Sequence, residues 1–320
     1  MTRHVFSRRG FGAALAATLT AAAPVRAAEV VFGGSASRLG TPSDDQDYAP
    51  PATIAAIYDL YKRMTAPVRV DGHGPYPFVV DTGANQSVIS LELARSLALP
   101  LGDAADVNGV AGVRSTVTTH ARLAVGSTLR DDSSLMVFPG ADIGGDGLLG
   151  LDDLEGQAVT LDFRGRALRL EPGARLRSDP DAVVMRARRR SGLLTLVDAD
   201  LDGMAVTAFL DSGAQNTIGN LALRRRVADR RLNVPWLSAP ILSATGQTIQ
   251  AEIATLPRLR VGGLSVASWP IAFADLYTFR LWGLTDSPAI LLGVDLLSRF
   301  EYVCLDFARD EVRFRLPQIA

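Results

Sequence analysis

Two aspartates occupy the same position in two nearly identical short sequences of this 320-residue chain. Asp81 begins the sequence Asp-Thr-Gly-Ala (residues 81–84), and Asp211 begins Asp-Ser-Gly-Ala (residues 211–214); we call these segments the acid loops. A single triplet of this kind usually marks a turn, and it arises by chance in roughly one chain of every few this long. Here both copies follow an apolar run typical of a strand, so we expect the two carboxylates to be structural equivalents.

Two carboxylates that meet in a partly dry cleft can do acid and base chemistry together. They cannot both be ionised cheaply, so the pair holds one shared proton and titrates as a unit. The ionised member can take a proton from a water molecule between them while the protonated member polarises a carbonyl group. This chemistry needs no metal ion, cofactor or covalent intermediate.

An internal repeat extends well beyond the acid loops. Leu-Leu-Gly-Leu-Asp (residues 148–152) recurs as Leu-Leu-Gly-Val-Asp (residues 291–295), and each copy leads into a predicted pair of strands. Short runs rich in Val, Leu, Ile and Thr alternate with Gly and Asp turn signals between these landmarks. The sequence therefore predicts a mostly β protein with two lobes, whose approximate two-fold symmetry would bring one acid from each lobe together.

These motifs resemble those of the aspartic proteases, specifically the retropepsin-like branch, in which Asp-Thr-Gly-Ala is followed late in the domain by two apolar residues and a glycine. The resemblance covers most of residues 67–320 and implies two retropepsin-like β-barrel lobes with pseudo-two-fold symmetry, fused in one chain. It implies an aspartic endopeptidase with Asp81 and Asp211 as catalytic residues and an extended polypeptide as substrate. The family usually forms homodimers with one acid per chain, so we expect this fused chain to be active as a monomer.

The same resemblance assigns supporting roles around the two acids. Hydroxyl groups of Thr82 and Ser212 would connect the acid loops, and residues 148–150 and 291–293 would pack beneath them. A glycine after each hydroxyl residue allows a tight turn that points a backbone N–H at the carboxylate. The predicted supporting residues are Thr82, Gly83, Ala84, Ser212, Gly213 and Ala214.

Ala84 and Ala214 stand where pepsin-like enzymes usually carry Ser or Thr. Without that hydroxyl group each carboxylate loses a hydrogen bond that favours its charged form. We therefore expect higher pKa values for the pair and a working pH closer to neutral.

Family members close the cleft with glycine-containing hairpin flaps that exclude water and hold an extended peptide by main-chain pairing. Glycine-rich turns also occur in ordinary hairpins, and the second candidate departs from the family pattern, so a single working flap is an alternative. The predicted flap residues are Gly109, Val110, Ala111 and Gly112 in the first lobe and Thr245 and Gly246 in the second.

The N-terminal residues 1–27 are typical of an export signal, with basic residues followed by an Ala- and Leu-rich stretch. Arg8 and Arg9 resemble the twin-arginine signal for export of folded proteins, although an ordinary secretory signal with two arginines is the alternative. We expect a periplasmic or secreted protein that processes periplasmic or membrane-protein substrates. After the signal, the sequence contains no continuous run of about 18 apolar residues, so we expect no membrane span once the signal is removed.

Residues 28–66 precede the repeat, and we expect disorder over 33–51 followed by a short amphipathic helix over 53–63. This helix could serve as a strap packed on the first lobe, or as a pro-segment that places Lys62 near the acids. The predicted lobes and linker then follow as residues 67–172 (N-terminal lobe), 173–190 (linker) and 191–320 (C-terminal lobe).

Composition argues against several other classes of function. A net charge of −1 and a pI near 6.3 give no electrostatic reason to expect a nucleic-acid partner. Cys304 is the single cysteine and sits in an apolar run, so we interpret it as a core residue, and no Cys/His cluster has metal-ligand spacing. Two rivals remain: a non-catalytic peptide- or protein-binding protein on the same scaffold, and, with no family resemblance to support it, a glycosidase.

Overall fold

The computed structural model describes residues 30–32, 52–59, 63–109, 112–152, 157–173, 176–190, 193–230, 234–242, 248–261 and 264–317. The predicted export signal and the predicted disordered segment over 33–51 lie outside these ranges. Within them the chain forms mainly β-strands, as predicted, with a few short helices.

The first half of the chain contains two helices, α1 (Leu91–Ser96) and α2 (Gly140–Ile143). Its strands are β1 (Val30–Phe32), β2 (Ala52–Ala55), β3 (Ile57–Tyr58), β4 (Met64–Val70), β5 (His73–Val80), β6 (Val88–Ser90), β7 (Leu101–Gly109), β8 (Gly112–Val125), β9 (Thr128–Phe138), β10 (Gly147–Leu149), β11 (Gln157–Asp162) and β12 (Ala167–Pro172).

The second half contains three helices, α3 (Leu221–Asp229), α4 (Tyr277–Leu281) and α5 (Val294–Leu297). Its strands are β13 (Ala182–Arg190), β14 (Leu193–Leu201), β15 (Met204–Leu210), β16 (Ile218–Gly219), β17 (Leu237–Leu242), β18 (Thr248–Val261), β19 (Leu264–Phe273), β20 (Ala289–Leu292), β21 (Tyr302–Asp306) and β22 (Glu311–Arg315).

The two lobes have the same strand order, which confirms the predicted repeat at the level of topology. In the first lobe the sheet runs β4-β5-β10-β6-β9-β8-β7, and in the second it runs β14-β15-β20-β16-β19-β18-β17. An additional pairing, β4 with β8 and β14 with β18, closes each sheet back on itself. Each lobe is therefore a small closed barrel, an arrangement that leaves few sheet edges exposed.

A further antiparallel sheet joins the lobes, in the order β13-β22-β21-β11-β12-β2. Its central contact is between β11 and β21, where Thr160 pairs with Cys304. These two residues are equivalent in the repeat, because each precedes a Leu-Asp-Phe sequence (161–163 and 305–307). Pairing of a residue with its own equivalent means that the pseudo-two-fold axis passes between Thr160 and Cys304.

The prediction of a helix over 53–63 is wrong. Residues 52–55 form β2 beside β12, and residues 57–58 form β3 beside β4. Ile54 is buried in the core between these pairings. The apolar residues of this segment have helix-like spacing, but strands as short as these are stabilised by pairing with neighbouring strands. The periodicity of the sequence contains no information about that pairing. Lys62 lies outside the described residues.

The predicted linker over 173–190 contains a strand in its second half. Residues 182–190 form β13, which pairs with β22 and then with β14. Met185 and Ala187 are buried while Arg186 between them is exposed, the alternation typical of a half-buried strand. The chain therefore crosses from one lobe to the other partly inside the sheet that joins them.

Cys304 is 1% exposed, as expected for a core residue. Burial raises the pKa of its thiol to about 11, so the thiol stays protonated near neutral pH and is a poor nucleophile. Among the described residues, no helix has the length and apolar character that crossing a membrane requires.

Candidate active site

Each acid follows the end of a buried strand at the centre of its lobe. The backbone N–H of Asp81 donates to Leu149 O at 2.9 Å, and that of Asp211 donates to Leu292 O at 3.0 Å. Leu149 and Leu292 end β10 and β20, which run parallel to the strands that lead into the acids. The Leu-Leu-Gly repeat therefore fixes the backbone of both acids, as the resemblance implied.

The glycines that end the Leu-Leu-Gly sequences lie against the acid loops. A Cβ atom on Gly150 would lie 2.7 Å from the carbonyl carbon of Gln86, and one on Gly293 would lie 2.5 Å from that of Asn216. Non-bonded carbon atoms prefer separations of about 3.5–4.0 Å. Glycine is required at both positions because the backbone that follows each acid passes directly over it.

A hydroxyl–carboxylate pair that was not predicted reinforces the same junction. Ser87 Oγ donates to Asp152 Oδ1 at 2.7 Å and accepts from the N–H of Gly150 at 3.0 Å. Thr217 and Asp295 repeat the arrangement in the second lobe, with an Oγ1–Oδ1 distance of 2.8 Å. Recurrence of the aspartate in both copies was the signal that could have revealed this pair.

Four reciprocal hydrogen bonds connect the acid loops across the two lobes; we call them the cross-lobe lock. Thr82 N donates to Ser212 Oγ at 3.1 Å, and Ser212 N donates to Thr82 Oγ1 at 3.0 Å. Thr82 Oγ1 then donates to Leu210 O at 3.0 Å, and Ser212 Oγ donates to Val80 O at 2.7 Å. Both hydroxyl residues are 1% exposed, so these bonds are shielded from water.

The lock brings the two carboxyl groups together. Gly83 N donates to Asp81 Oδ1 at 2.9 Å, and Gly213 N donates to Asp211 Oδ1 at the same distance. A Cβ atom on either glycine would lie 2.5 Å from the carboxyl carbon of the acid in the other lobe. Each glycine thus faces the opposite carboxyl group, and we call the resulting pair of acids the dyad.

Comparison with known proteins agrees with this geometry. The profile of the aspartyl protease family matches residues 66–152 and 197–296, one segment in each lobe. The chain belongs to the aspartyl protease family. The two matched segments confirm the predicted fusion of two retropepsin-like lobes in one protein. A comparison with curated proteins found no match.

Burial raises the pKa values of both acids in the dyad of this aspartyl protease. Burial raises the pKa of Asp81, and the N–H of Gly83 and the positive charge of Arg63 oppose the rise. The pKa of Asp211 is raised well above its ordinary value, first by burial and then by the negative charge of Asp81. The two carboxyl groups therefore titrate as a pair, and the positive charge of Arg63 favours ionisation of Asp81.

Ala84 and Ala214 contribute backbone groups to the dyad. The N–H of Ala214 donates to Asp211 Oδ1 at 3.0 Å, and the N–H of Ala84 is among the groups that lower the pKa of Asp81. Their carbonyl oxygens face the other way and accept from Leu151 N at 2.9 Å and Val294 N at 2.8 Å. The alanines therefore connect the carboxyl groups to the chain segments that follow β10 and β20.

Both lobes of the protease carry a long hairpin at the position predicted for a flap. In the first lobe β7 and β8 pair up to Gly109 and Gly112, and the tip residues Val110 and Ala111 lie outside the described residues. In the second lobe β17 and β18 pair up to Leu242 and Thr248. The predicted tip residues Thr245 and Gly246 also lie outside the described residues, so a flap role for either hairpin remains a prediction.

Proposed function

We propose that this aspartyl protease is an endopeptidase that hydrolyses peptide bonds with a water molecule activated between Asp81 and Asp211. The observation that carries the proposal is the cross-lobe lock, which joins Thr82 and Ser212 although 130 residues separate them in the chain. A pair of hydrogen-bonded carboxyl groups with raised pKa values, one on a buried residue and one on a partly buried residue, is suited to acid–base catalysis.

The two acids take different roles in the first step, and we assign the base to Asp81 because the positive charge of Arg63 lowers its pKa. Ionised Asp81 takes a proton from the water, whose oxygen bonds to the peptide carbonyl carbon. Protonated Asp211 gives its proton to the carbonyl oxygen, which produces a neutral tetrahedral diol. At that stage Asp81 carries a proton and Asp211 is ionised.

The second step reverses these roles. Asp81 protonates the peptide nitrogen as the carbon–nitrogen bond breaks, while Asp211 removes a proton from one hydroxyl group of the diol. The products are a new carboxyl group and a new amine. Both acids return to their starting states, so the cycle needs no other reactant.

We propose an extended polypeptide as substrate, held beneath the two hairpins formed by β7–β8 and β17–β18. An extended chain can pair its main-chain groups with a hairpin and place alternate side chains in pockets. For location we propose the periplasm, with periplasmic or membrane proteins as the substrates that are processed. The support is the export-type sequence over residues 1–27.

The test is incubation of the mature chain, residues 28–320, with a proteome-derived peptide library, with and without pepstatin, followed by mass spectrometry. We expect cleavage at internal peptide bonds that pepstatin abolishes, with a working range closer to neutral than that of enzymes with a hydroxyl group in place of Ala84 and Ala214. Capture of peptides without cleavage at any pH between about 3 and 8 would instead identify a binding protein on this scaffold.

A further inference from the structure

A buried arginine lies across the sheet from one acid of the dyad. In the pairing of β4 with β5, Thr65 lies opposite Val79 and Ala66 lies opposite Phe78. Continuing this register by two residues places Arg63 opposite Asp81. Arg63 is 5% exposed, which is unusual because arginine is almost never fully buried unless it is paired.

Contacts with Asp59 and Ile143 help to hold the Arg63 side chain in place. Its Nε forms an ion pair with Asp59 Oδ2 at 2.6 Å, and one terminal nitrogen donates to Ile143 O at 3.3 Å. The backbone N–H of Arg63 also donates to Asp59 Oδ1 at 2.8 Å. The guanidinium group is therefore bound between Asp59 and the end of α2.

The repeat breaks at this position. In the second lobe Thr195 of β14 lies opposite Phe209 of β15, and the same extension of the register places residue 193 opposite Asp211. Residue 193 is leucine. Positions 63 and 193 differ by 130 residues, the same offset as the two acids, so one lobe carries a cation where its equivalent carries an apolar residue.

Within the described part of the chain, the charged groups that act on Asp81 are thus Arg63 from the β4 side and Asp211 from the other lobe. The strand beneath, β10, contributes Leu149 and then Gly150, which carry no charge. Arg63 opposes the effect of burial and lowers the pKa of Asp81, whereas the charge of Asp81 raises the pKa of Asp211. The electrostatic surroundings of the two acids are therefore unequal, because one of them has a buried cation beside it and the other has leucine at the equivalent position.

We propose that Arg63 is a positioning residue for the dyad, because its buried guanidinium group keeps the negative charge on Asp81 and leaves the shared proton on Asp211. The catalytic part of this inference rests on the proposed peptidase function. Arg63 then makes Asp81 the base of the first step and sets the acidic limit of activity.

The test compares the pH profile of kcat/KM for wild type, Arg63→Gln and Arg63→Lys. Loss of the charge in Arg63→Gln should move the acidic limb to higher pH by about one unit, a tenfold loss of activity on that limb. Arg63→Lys keeps the charge and should remain near the wild-type profile. Equal profiles for wild type and a folded Arg63→Gln would overturn the proposal.

Asp59→Asn provides a variant that keeps Arg63 and is expected to act in the opposite direction. Removal of the counter-ion leaves the guanidinium charge less neutralised, so the acidic limb should move to lower pH. Arg313→Gln is the matched control, since Arg313 is also buried, at 8% exposure, but pairs with Asp306 and Glu311 in the sheet that joins the lobes. A purely structural role for Arg63 predicts no opposite shifts.

A second readout does not depend on activity. Carbon-13 labelling of aspartate carboxyl groups allows the titration of Asp81 to be followed by NMR, with its resonance assigned by its loss in Asp81→Asn. The pKa of Asp81 should rise in Arg63→Gln and fall in Asp59→Asn. If wild type cleaves no peptide, the peptidase proposal fails while this titration still decides the role of Arg63; unchanged titration in both variants would overturn it.

Discussion

The carboxyl group of Asp211 links catalysis to stability. Its pKa is raised well above the ordinary value, first because of burial, so the folded chain binds this proton more tightly than the unfolded chain does. The stabilisation from the bound proton is fully present below the unfolded pKa of about 4 and is lost as pH rises through the folded pKa. At neutral pH the acid therefore destabilises the fold in which it functions.

Asp211→Asn should raise the free energy of unfolding at neutral pH. The gain is about 1.4 kcal/mol for each pH unit between the unfolded pKa and either the working pH or the folded pKa, whichever is lower. The asparagine oxygen can still accept from the N–H groups of Gly213 and Ala214. Urea unfolding at about pH 7 and about pH 3 measures this, and the gain should vanish at the lower pH. A variant that is less stable than wild type at pH 7 would contradict the prediction.

Single residues differ in how far the sequence reveals them. Asp81, Asp211 and their neighbours are predictable because the motif is local and occurs twice. Arg63 gives no such signal, since it lies outside the repeated motif and its role depends on a strand register. Asp152 was visible as part of a repeat, but its partner Ser87 lies 65 residues away and is identified only by the fold.

At the scale of elements, the strand that ends in Leu-Leu-Gly determines where each acid lies. β10 runs between β5 and β6 and accepts the backbone N–H of Asp81, while Gly150 leaves room for the chain above it. A side chain at position 150 would displace the backbone that follows Asp81, because it would overlap backbone atoms of Gln86. Stability and geometry of the dyad are therefore coupled at one position.

Gly150→Ala should destabilise the protein by about 1–3 kcal/mol or more and lower kcat, because the new methyl group would overlap Gln86 backbone atoms. Gly145→Ala is the matched control, since a Cβ atom there would meet nothing within 4 Å. Chemical denaturation and steady-state kinetics measure both effects. Equal stability of the two variants would show that the backbone above Gly150 can move aside freely.

Elements were predictable where the sequence itself carried their boundaries. The strand before each acid was expected from its apolar run. Ser90 and Asn220 cap the helices that follow the acid loops by accepting from Leu93 N at 3.1 Å and Leu223 N at 2.8 Å. The segment over 53–63 was predicted wrongly because β2 and β3 are short edge strands whose structure depends on pairing with neighbouring strands. The local sequence pattern cannot predict pairing with a strand more than 100 residues away, and β2 pairs with β12 at such a distance.

At the scale of the whole molecule, one chain supplies both halves of the symmetric site. The pseudo-two-fold axis passes between Thr160 and Cys304 in the sheet that joins the lobes, and Thr82 and Ser212 exchange equivalent hydrogen bonds about the same symmetry. Both contacts form within one chain. We therefore propose a monomeric active unit.

Mixing of Asp81→Asn with Asp211→Asn tests this proposal, because each variant lacks a different acid. Monomers cannot combine an intact N-terminal lobe with an intact C-terminal lobe, so we expect no recovery of peptidase activity. Dimers with exchanged lobes would restore up to about a quarter of the sites in an equal mixture. Unfolding and refolding the two variants together makes the measurement sensitive to exchange, and substantial recovery would contradict a monomeric unit.

The most direct test of the shared dyad is cleavage of one peptide from the library by wild type, Asp81→Asn and Asp211→Asn, with Asp131→Asn as control because its side chain is 79% exposed. We predict that each dyad variant loses kcat/KM by about 10³-fold or more while the control keeps wild-type activity. Cleavage at the wild-type rate by either dyad variant would contradict catalysis by a shared pair of carboxyl groups.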